Sequence, residues 1–346
     1  SIKNLNHFLI FYLEMYFKKN VLIIGYGGMG KRYHKALKNL GFKNIDILDN
    51  KLTDELRIKK NFFSTLKDIN KKRYELICLV TNTVGRIKIF EEIVKLKLTK
   101  KIILEKPLSC SIDEALKVKP HLNKYKVLVN SYRPFLHNYK MLKKIMKKKK
   151  EEPVSFTILS PSAGLGNMGS VFFDIALYFL DEEPVKIKCQ IDKAFIKNPR
   201  GTQFNDPAGF GIIELKNNKR IIFDTFSDTS IPYKMIIRSK NLEIWIDEIN
   251  NDYIIYEKPE KLKNKPNNYY LFKPIKSKLK IKEKYNPIKF TETTIKEIFS
   301  KKFSSNYLRS LKVMQLIIGC HVSSEKNLNI ELPLKKRYFK KYIPFA

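Results

Sequence analysis

Residues Gly25-Tyr26-Gly27-Gly28-Met29-Gly30 constrain this chain more than any others in it. They spell GxGxxG directly after the apolar run Asn20–Ile24 and directly before Met29–Leu40, whose apolar residues recur at helical spacing. A strand that turns through glycines into a helix is the context that lifts this motif above chance. Gly25 permits the tight turn, Gly27 lets the backbone approach a pyrophosphate, and Gly30 lets helix and strand pack closely. Gly28 and Met29 open the helix, whose N-terminal N–H groups and positive dipole end suit phosphates. Asp49 closes the next predicted strand, 19 residues beyond Gly30, where a carboxylate accepts hydrogen bonds from an adenosine ribose. An acid there disfavours a 2′-phosphate, so NAD is the expected cofactor, while the neighbouring Lys51 leaves NADP open.

The pattern that follows is strand and helix in alternation. Asn44–Leu48, Leu76–Val80, Lys101–Leu104 and Val127–Asn130 read as strands, with helices at Arg86–Leu96 and Ile112–Leu122. Continuous apolar strands separated by helices argue for a parallel sheet covered on both faces. The second half has another texture. After a helix at Tyr139–Lys147 come β-like runs at Val154–Leu159, Val185–Ile191, Phe210–Leu215, Arg220–Thr225, Met235–Arg238 and Leu242–Ile246. The later runs are joined by short turns, which favours antiparallel pairing. Helices are predicted at Val171–Leu180 and Tyr307–Cys320. The expected fold is α/β: an N-terminal Rossmann domain with a doubly wound parallel sheet, then an α+β domain with a mostly antiparallel open sheet. Residues 1–17 stand apart as an N-terminal extension, 18–130 form the dinucleotide domain, and 131–346 form the substrate and oligomerisation domain.

Composition excludes several classes. The chain has 346 residues with 43% hydrophobic and 12% aromatic content, which is globular rather than disordered. No apolar run approaches the roughly 20 residues that span a bilayer: Phe8–Leu13 is far too short, and Glu14 interrupts the region. That region also lacks a clear basic n-region and a small-residue cleavage site, so no signal peptide is expected. No membrane partner is expected. Cys78, Cys110, Cys189 and Cys320 are scattered, with no CxxC pair, which suits buried thiols in a reducing cytoplasm. The five histidines show no ligand spacing, so no metal is expected. The net charge of +34 raises the question of nucleic acid, but the lysines are spread throughout and the densest run is only Lys147–Lys150. They read as a solvated surface, with no specific nucleic-acid partner.

Glu105-Lys106-Pro107 ends the predicted strand Lys101–Leu104. With the glycine motif upstream, it resembles the Gfo/Idh/MocA family of oxidoreductases, whose members carry EKP at this place. The resemblance runs from about Lys18 to Pro333. It includes Asn167–Asp181, similar to the family's glycine-rich loop and catalytic helix, Asn205–Phe223, similar to a strand pair, and Ser305–Pro333, similar to the closing helix and ending. It implies an NAD(P)-dependent dehydrogenase or reductase acting on a secondary alcohol or ketone of a sugar, polyol or sugar nucleotide. It also implies a homodimer or homotetramer built on the open sheet.

Site residues follow from the same resemblance. Lys106 corresponds to the family lysine that contacts both nicotinamide ribose and substrate hydroxyl, and a cation there lowers the cost of a developing alkoxide. Glu105, Thr81 and Asn82 are expected beside the cofactor, and Arg133 and Asn167 at the substrate. The family often has aspartate, histidine four residues on, and aspartate three beyond. This chain reads Asp174, Tyr178 and Asp181. Asp174 and Tyr178 share one helical face. Two readings of Tyr178 stand side by side. In one it is the general acid–base, its phenol lowered from ~10 by the charge of Lys106. In the other the proton-transfer group is lost and Tyr178 only packs, leaving a catalytically silent NAD(P)-binding sensor or pathway partner. Asp174 would orient Lys106 or a substrate hydroxyl.

Overall fold

A computed structural model describes residues 19–51, 53, 59–69, 72–161, 163–192, 201, 203–204, 206–225, 229–263, 265, 272–281 and 284–345. The proposed extension, 1–17, lies outside them, as does Asn205. The chain divides into two units. The first runs to Phe135 and takes in Asn286–Leu311; the second comprises Leu136–Tyr285 and Lys312–Ala346. The first unit thus reaches five residues past residue 130 and takes in a later segment as well.

The first unit is built on β1 (Asn20–Ile24), α1 (Gly28–Asn39), β2 (Asn44–Leu48), β3 (Phe62–Phe63), β4 (Leu76–Leu79), α2 (Arg86–Lys95), β5 (Lys101–Leu104), α3 (Ile112–Leu116) and β6 (Lys126–Val129). Its six strands run in the order β3-β2-β1-β4-β5-β6, all parallel. β1 pairs with β2 on one side and β4 on the other, with Ile23 opposite Ile47 and Cys78. The strand order reverses at β1, and ligands of such sheets sit beyond the strand ends at that point. The helix expected over 112–122 stops at Leu116 and is followed by a 3-10 turn, Lys119–His121. Pro120 in that turn lacks the N–H that a continuing α-helix needs. The start is capped by side chains: Ser111 accepts from the Glu114 N–H at 3.2 Å, and Glu114 accepts from the Cys110 N–H, one residue before the cap, at 3.0 Å.

The second unit begins with α4 (His137–Lys148), β7 (Ser155–Leu159) and α5 (Ser170–Leu180). Then come β8 (Pro184–Ile191), β9 (Gly209–Leu215), β10 (Arg220–Asp224), β11 (Lys234–Arg238), β12 (Leu242–Asp247), β13 (Asp252–Glu257) and β14 (Ile275–Lys278). Among the described residues the sheet has nine strands in the order β14-β13-β12-β11-β7-β10-β9-β8-β15, where β15 is Ile330–Glu331. Of these described strands, only β7 and β10 pair in parallel. One face carries Phe156, Ile158, Ile213, Phe223, Met235 and Ile244, all buried, and packs against α5. Phe173 of α5 meets Phe223 edge-on at 5.2 Å, and Phe179 lies 6.1 Å from Phe156. Ten of the eleven residues of α5 are buried, which explains why it is hydrophobic on every side.

Two helices follow. α6 (Pro287–Phe299) starts at Asn286, whose side chain accepts from the Ile288 and Lys289 N–H groups, with Pro287 in the first turn. It lies in the first unit, where Ile295 and Ile298 join the core made by Tyr33, Ala36 and Leu37 of α1. α7 (Tyr307–Lys326) opens in the first unit and continues in the second from Lys312. It runs six residues beyond the expected end. All four cysteines are buried. No described helix is long and apolar enough to cross a membrane.

Candidate functional site

In the first unit the glycine loop is set by contacts that exclude side chains at chosen points. Gly25 has φ of +94°, and its N–H donates to the Leu48 carbonyl at 2.8 Å. A Cβ on Gly30 would lie 2.1 Å from the Gly25 carbonyl oxygen, so helix and turn touch where only hydrogen fits. Gly27 and Gly28 differ. A Cβ on either would meet nothing within 4 Å. These two glycines face open space at the N-terminus of α1, which has no side-chain cap and no acidic residue in its first turn. Met29 is half-buried against the core. This is the cradle a diphosphate needs: room, N–H groups and a positive dipole end.

Asp49 follows β2 with both oxygens fixed by main chain. Oδ2 accepts from the Tyr26 N–H at 2.5 Å and Oδ1 from the Lys51 N–H at 2.8 Å. The carboxylate is thus tied to the glycine loop itself. The Tyr26 ring meets Phe62 edge-on at 5.5 Å, and its hydroxyl shares a 2.6 Å hydrogen bond with His34 Nδ1. Burial raises the Tyr26 phenol and, with Lys38, lowers the His34 imidazole, so both shifts favour the neutral forms of the pair. The residues fit NAD.

The loops after β4 and β5 meet at Arg86, which is 1% exposed. Its guanidinium donates to the Thr81, Glu105 and Pro107 carbonyls. One cation therefore fixes the main chain on both sides of Lys106 together with the Thr81 loop. Glu105 is buried, and its carboxylate accepts from Asn130 Nδ2 at 2.7 Å. Thr294 of α6 donates to Asn130 Oδ1 at 3.0 Å. Burial, with the Glu105 charge second, pushes the Tyr33 phenol of α1 well above its usual range. Glu105 thus works inside the domain, and Lys106 next to it is half-buried. Thr81 is half-buried and Asn82 is exposed. Arg133 is 1% exposed, with its guanidinium 5.2 Å from the Tyr132 ring centroid, and is not a solvent-facing linker residue.

In the second unit Asn167 lies in a π-helical turn, Leu165–Gly169, that feeds α5. Asp206 accepts from the Gly166 N–H at 2.6 Å and the Asn167 N–H at 2.8 Å. Ser170 Oγ donates to the Asn167 carbonyl at 2.8 Å. Asp174 is 1% exposed and Tyr178 half-buried. A cation does stand beside Tyr178 within this unit, and it is Lys143 of α4. Its Nζ lies 4.3 Å from the Tyr178 ring centroid and donates to the Tyr178 carbonyl at 2.8 Å.

Arg86, Asp206 and Lys143 were not found by the sequence reading. A signal existed for Arg86: a cation opens helix α2, where the helix dipole disfavours it, so a tertiary partner had to compensate. Asp206 and Lys143 act across 39 to 40 and 35 residues respectively, and no local spacing marks them.

Residues 19–132 match the family model described as "Oxidoreductase family, NAD-binding Rossmann fold", GFO_IDH_MocA. No curated protein matches the sequence. Solved structures similar to the whole chain include levoglucosan dehydrogenase in complex with NADH and levoglucosan, at 14% identity and TM-score 0.74, covering 91% of this chain and 99% of that one. UDP-N-acetylglucosamine 3-dehydrogenase GnnA from Acidithiobacillus ferrooxidans is similar at 13% identity and TM-score 0.69, over 89% and 98%. A super-repressor mutant of Gal80p from Saccharomyces cerevisiae is similar at 13% identity and TM-score 0.71, over 90% and 97%. At these identities the likeness is one of fold.

Proposed function

We propose that this chain, whose residues 19–132 match the family model described as an oxidoreductase NAD-binding Rossmann fold, transfers hydride to or from a secondary alcohol or ketone carbon of a sugar, polyol or sugar nucleotide. The observation that carries it is the arrangement around Lys106. A half-buried lysine follows a buried glutamate, and Arg86 fixes the main chain on both sides of it. Main chain fixed this firmly suits a residue that must meet a reacting atom.

NAD, when bound, supplies the hydride chemistry. Gly27, Gly28 and Met29 offer their main chain to the diphosphate, and Asp49 takes the adenosine ribose. Thr81 and Asn82 line the cofactor's other end. Lys106 polarises the reacting oxygen and stabilises negative charge on it. Tyr178 moves the proton of that oxygen, Asp174 orients the substrate hydroxyl, and Arg133 and Asn167 hold the rest of the substrate.

The same domain also supports self-association. Ile212, Ile222 and Trp245 are 46%, 37% and 40% exposed on the open face of the second unit's sheet. The strand register sets them in one row: Ile212, Ile222, Thr157, Ile236, Trp245, Ile254. A homodimer or homotetramer covers such a row.

The test is titration with NADH and NADPH followed by nicotinamide fluorescence, then a turnover screen of sugars, polyols and sugar nucleotides. Micromolar NADH binding with turnover that is lost in Lys106→Ala and falls in Tyr178→Phe is the expected result. Binding without turnover on any of these alcohols favours the catalytically silent reading, whose support is the likeness to Gal80p and the placement of Tyr178 against Lys143. Failure to bind either nucleotide sinks both.

A further inference from the structure

The turn that carries Asn167 is closed from its far side by a residue 178 positions away in sequence, Phe345. A Cβ placed on Gly166 would lie 2.0 Å from Phe345 Cδ1 and 2.6 Å from Cε1 and Cγ. The ring therefore rests directly on the Gly166 backbone, and only glycine leaves room for it. Phe345 is fully buried, and its other side meets the His321 ring of α7 at 6.4 Å.

The segment leading to Phe345 is fastened along its length. The Leu334 N–H donates to Gln315 Oε1 at 3.1 Å, and Lys341 Nζ donates to Glu325 Oε1 at 2.5 Å, both on α7. Leu334 and Ile343 are 3% and 4% exposed. The Asp206 carboxylate also takes the Gly166 and Asn167 N–H groups. The turn is thus held by both a charged acceptor and an aromatic ring.

We propose that Leu334–Phe345 is a strap that fixes the Asn167 turn, making Phe345 a positioning residue for substrate binding. It acts through Gly166, touches neither substrate nor cofactor, and rests on the assignment of Asn167 to substrate. Loss of the ring frees the turn where α5 begins, so the substrate is held less firmly while the glycine loop of the first unit keeps its own supports.

Hydrogen exchange of the full chain, read on the peptide covering 164–169, tests the strap without any turnover. In Phe345→Ala, exchange there rises about tenfold or more, Phe345→Leu recovers most of the protection, and NADH binding stays as in the parent. Gly166→Ala pushes the ring away from the other side and gives the same exchange pattern. Combined with Phe345→Ala it adds little, because the clash is gone. With a turned-over alcohol in hand, KM rises about fivefold in Phe345→Ala with a smaller change in kcat. Unchanged exchange at 164–169 in both single variants overturns the strap. Raised exchange with an unchanged KM overturns its role in substrate binding. Should no alcohol be turned over by the parent, hydride transfer fails by that result alone, and the exchange data still decide the strap.

Discussion

The two units hold their site residues differently. In the first, the main chain is the instrument. Asp49 is pinned by the Tyr26 and Lys51 N–H groups, Gly30 touches the Gly25 carbonyl, and Arg86 gathers three carbonyls around Lys106. In the second, side chains from remote segments do the holding: Asp206 and Phe345 on the Asn167 turn, Lys143 on Tyr178. Main-chain geometry of the first kind demands glycine at fixed intervals. Geometry of the second kind demands only that certain side chains arrive, from anywhere in the chain.

The comparison is broken most directly at Arg86. If one buried cation is the hub of a main-chain site, Arg86→Ala leaves three carbonyls without their donor. We expect a loss of roughly 3–5 kcal/mol, seen as a fall of the first unit's melting temperature by calorimetry. Arg86→Lys recovers part of it, since an ammonium cannot fork to three acceptors in the same geometry. A loss below about 1 kcal/mol would mean that the strands alone fix these loops.

This difference also decides what was legible in the sequence. The glycine loop, Asp49 and the alternation of strand and helix were readable because period and spacing carry them. Most strands of the second unit's sheet were readable for the same reason. α6 was missed although Asn286-Pro287 is a sound helix start. Its apolar residues Ile295 and Ile298 make sense only against α1, some 250 residues earlier. The grouping of Asn286–Leu311 with the first unit was not legible either, because a segment that returns to an earlier unit leaves no local mark. The hydrogen bond from Asn130 to the buried Glu105 carboxylate was not legible. Nothing in Glu-Lys-Pro says which of two adjacent charged residues turns inward.

In the second unit the remote supports should show a pH dependence of their own. Burial, with Lys341 second, lowers the His321 imidazole to about 4. The unfolded ring takes its proton near ~6.5, so the unfolded state binds more protons between these values. The contribution is therefore complete above ~6.5 and lost as pH falls toward 4, at most about 3 kcal/mol. Denaturant unfolding of the second unit across pH 7 to 4 reads it, and His321→Leu should flatten the profile in that window. A parent protein with no pH dependence there removes His321 from the supports of the strap.

Asp49 sharpens the other side. Asp49→Asn keeps an oxygen for the Tyr26 N–H but removes the charge, so stability should hold while NADH binding weakens about tenfold. NADPH binding should weaken less or improve, because the repulsion of a 2′-phosphate is gone. The ratio of the two dissociation constants is the readout. An unchanged ratio would detach Asp49 from the ribose.

The finest cut is between two glycines two residues apart. Gly30→Ala drives a Cβ to 2.1 Å from the Gly25 carbonyl and must distort the turn. Gly28→Ala meets nothing within 4 Å, and in the first turn of α1 alanine is neutral or favourable by up to about 1 kcal/mol. Stability should therefore stay level or rise slightly in Gly28→Ala. If the empty space above it belongs to the diphosphate, NADH affinity must still fall, since the new methyl stands where the phosphate oxygens approach the N–H groups. A variant of equal stability and unaltered NADH binding would show that this space is plain solvent. The main-chain account of the first site would then rest on Gly30 and Asp49 alone.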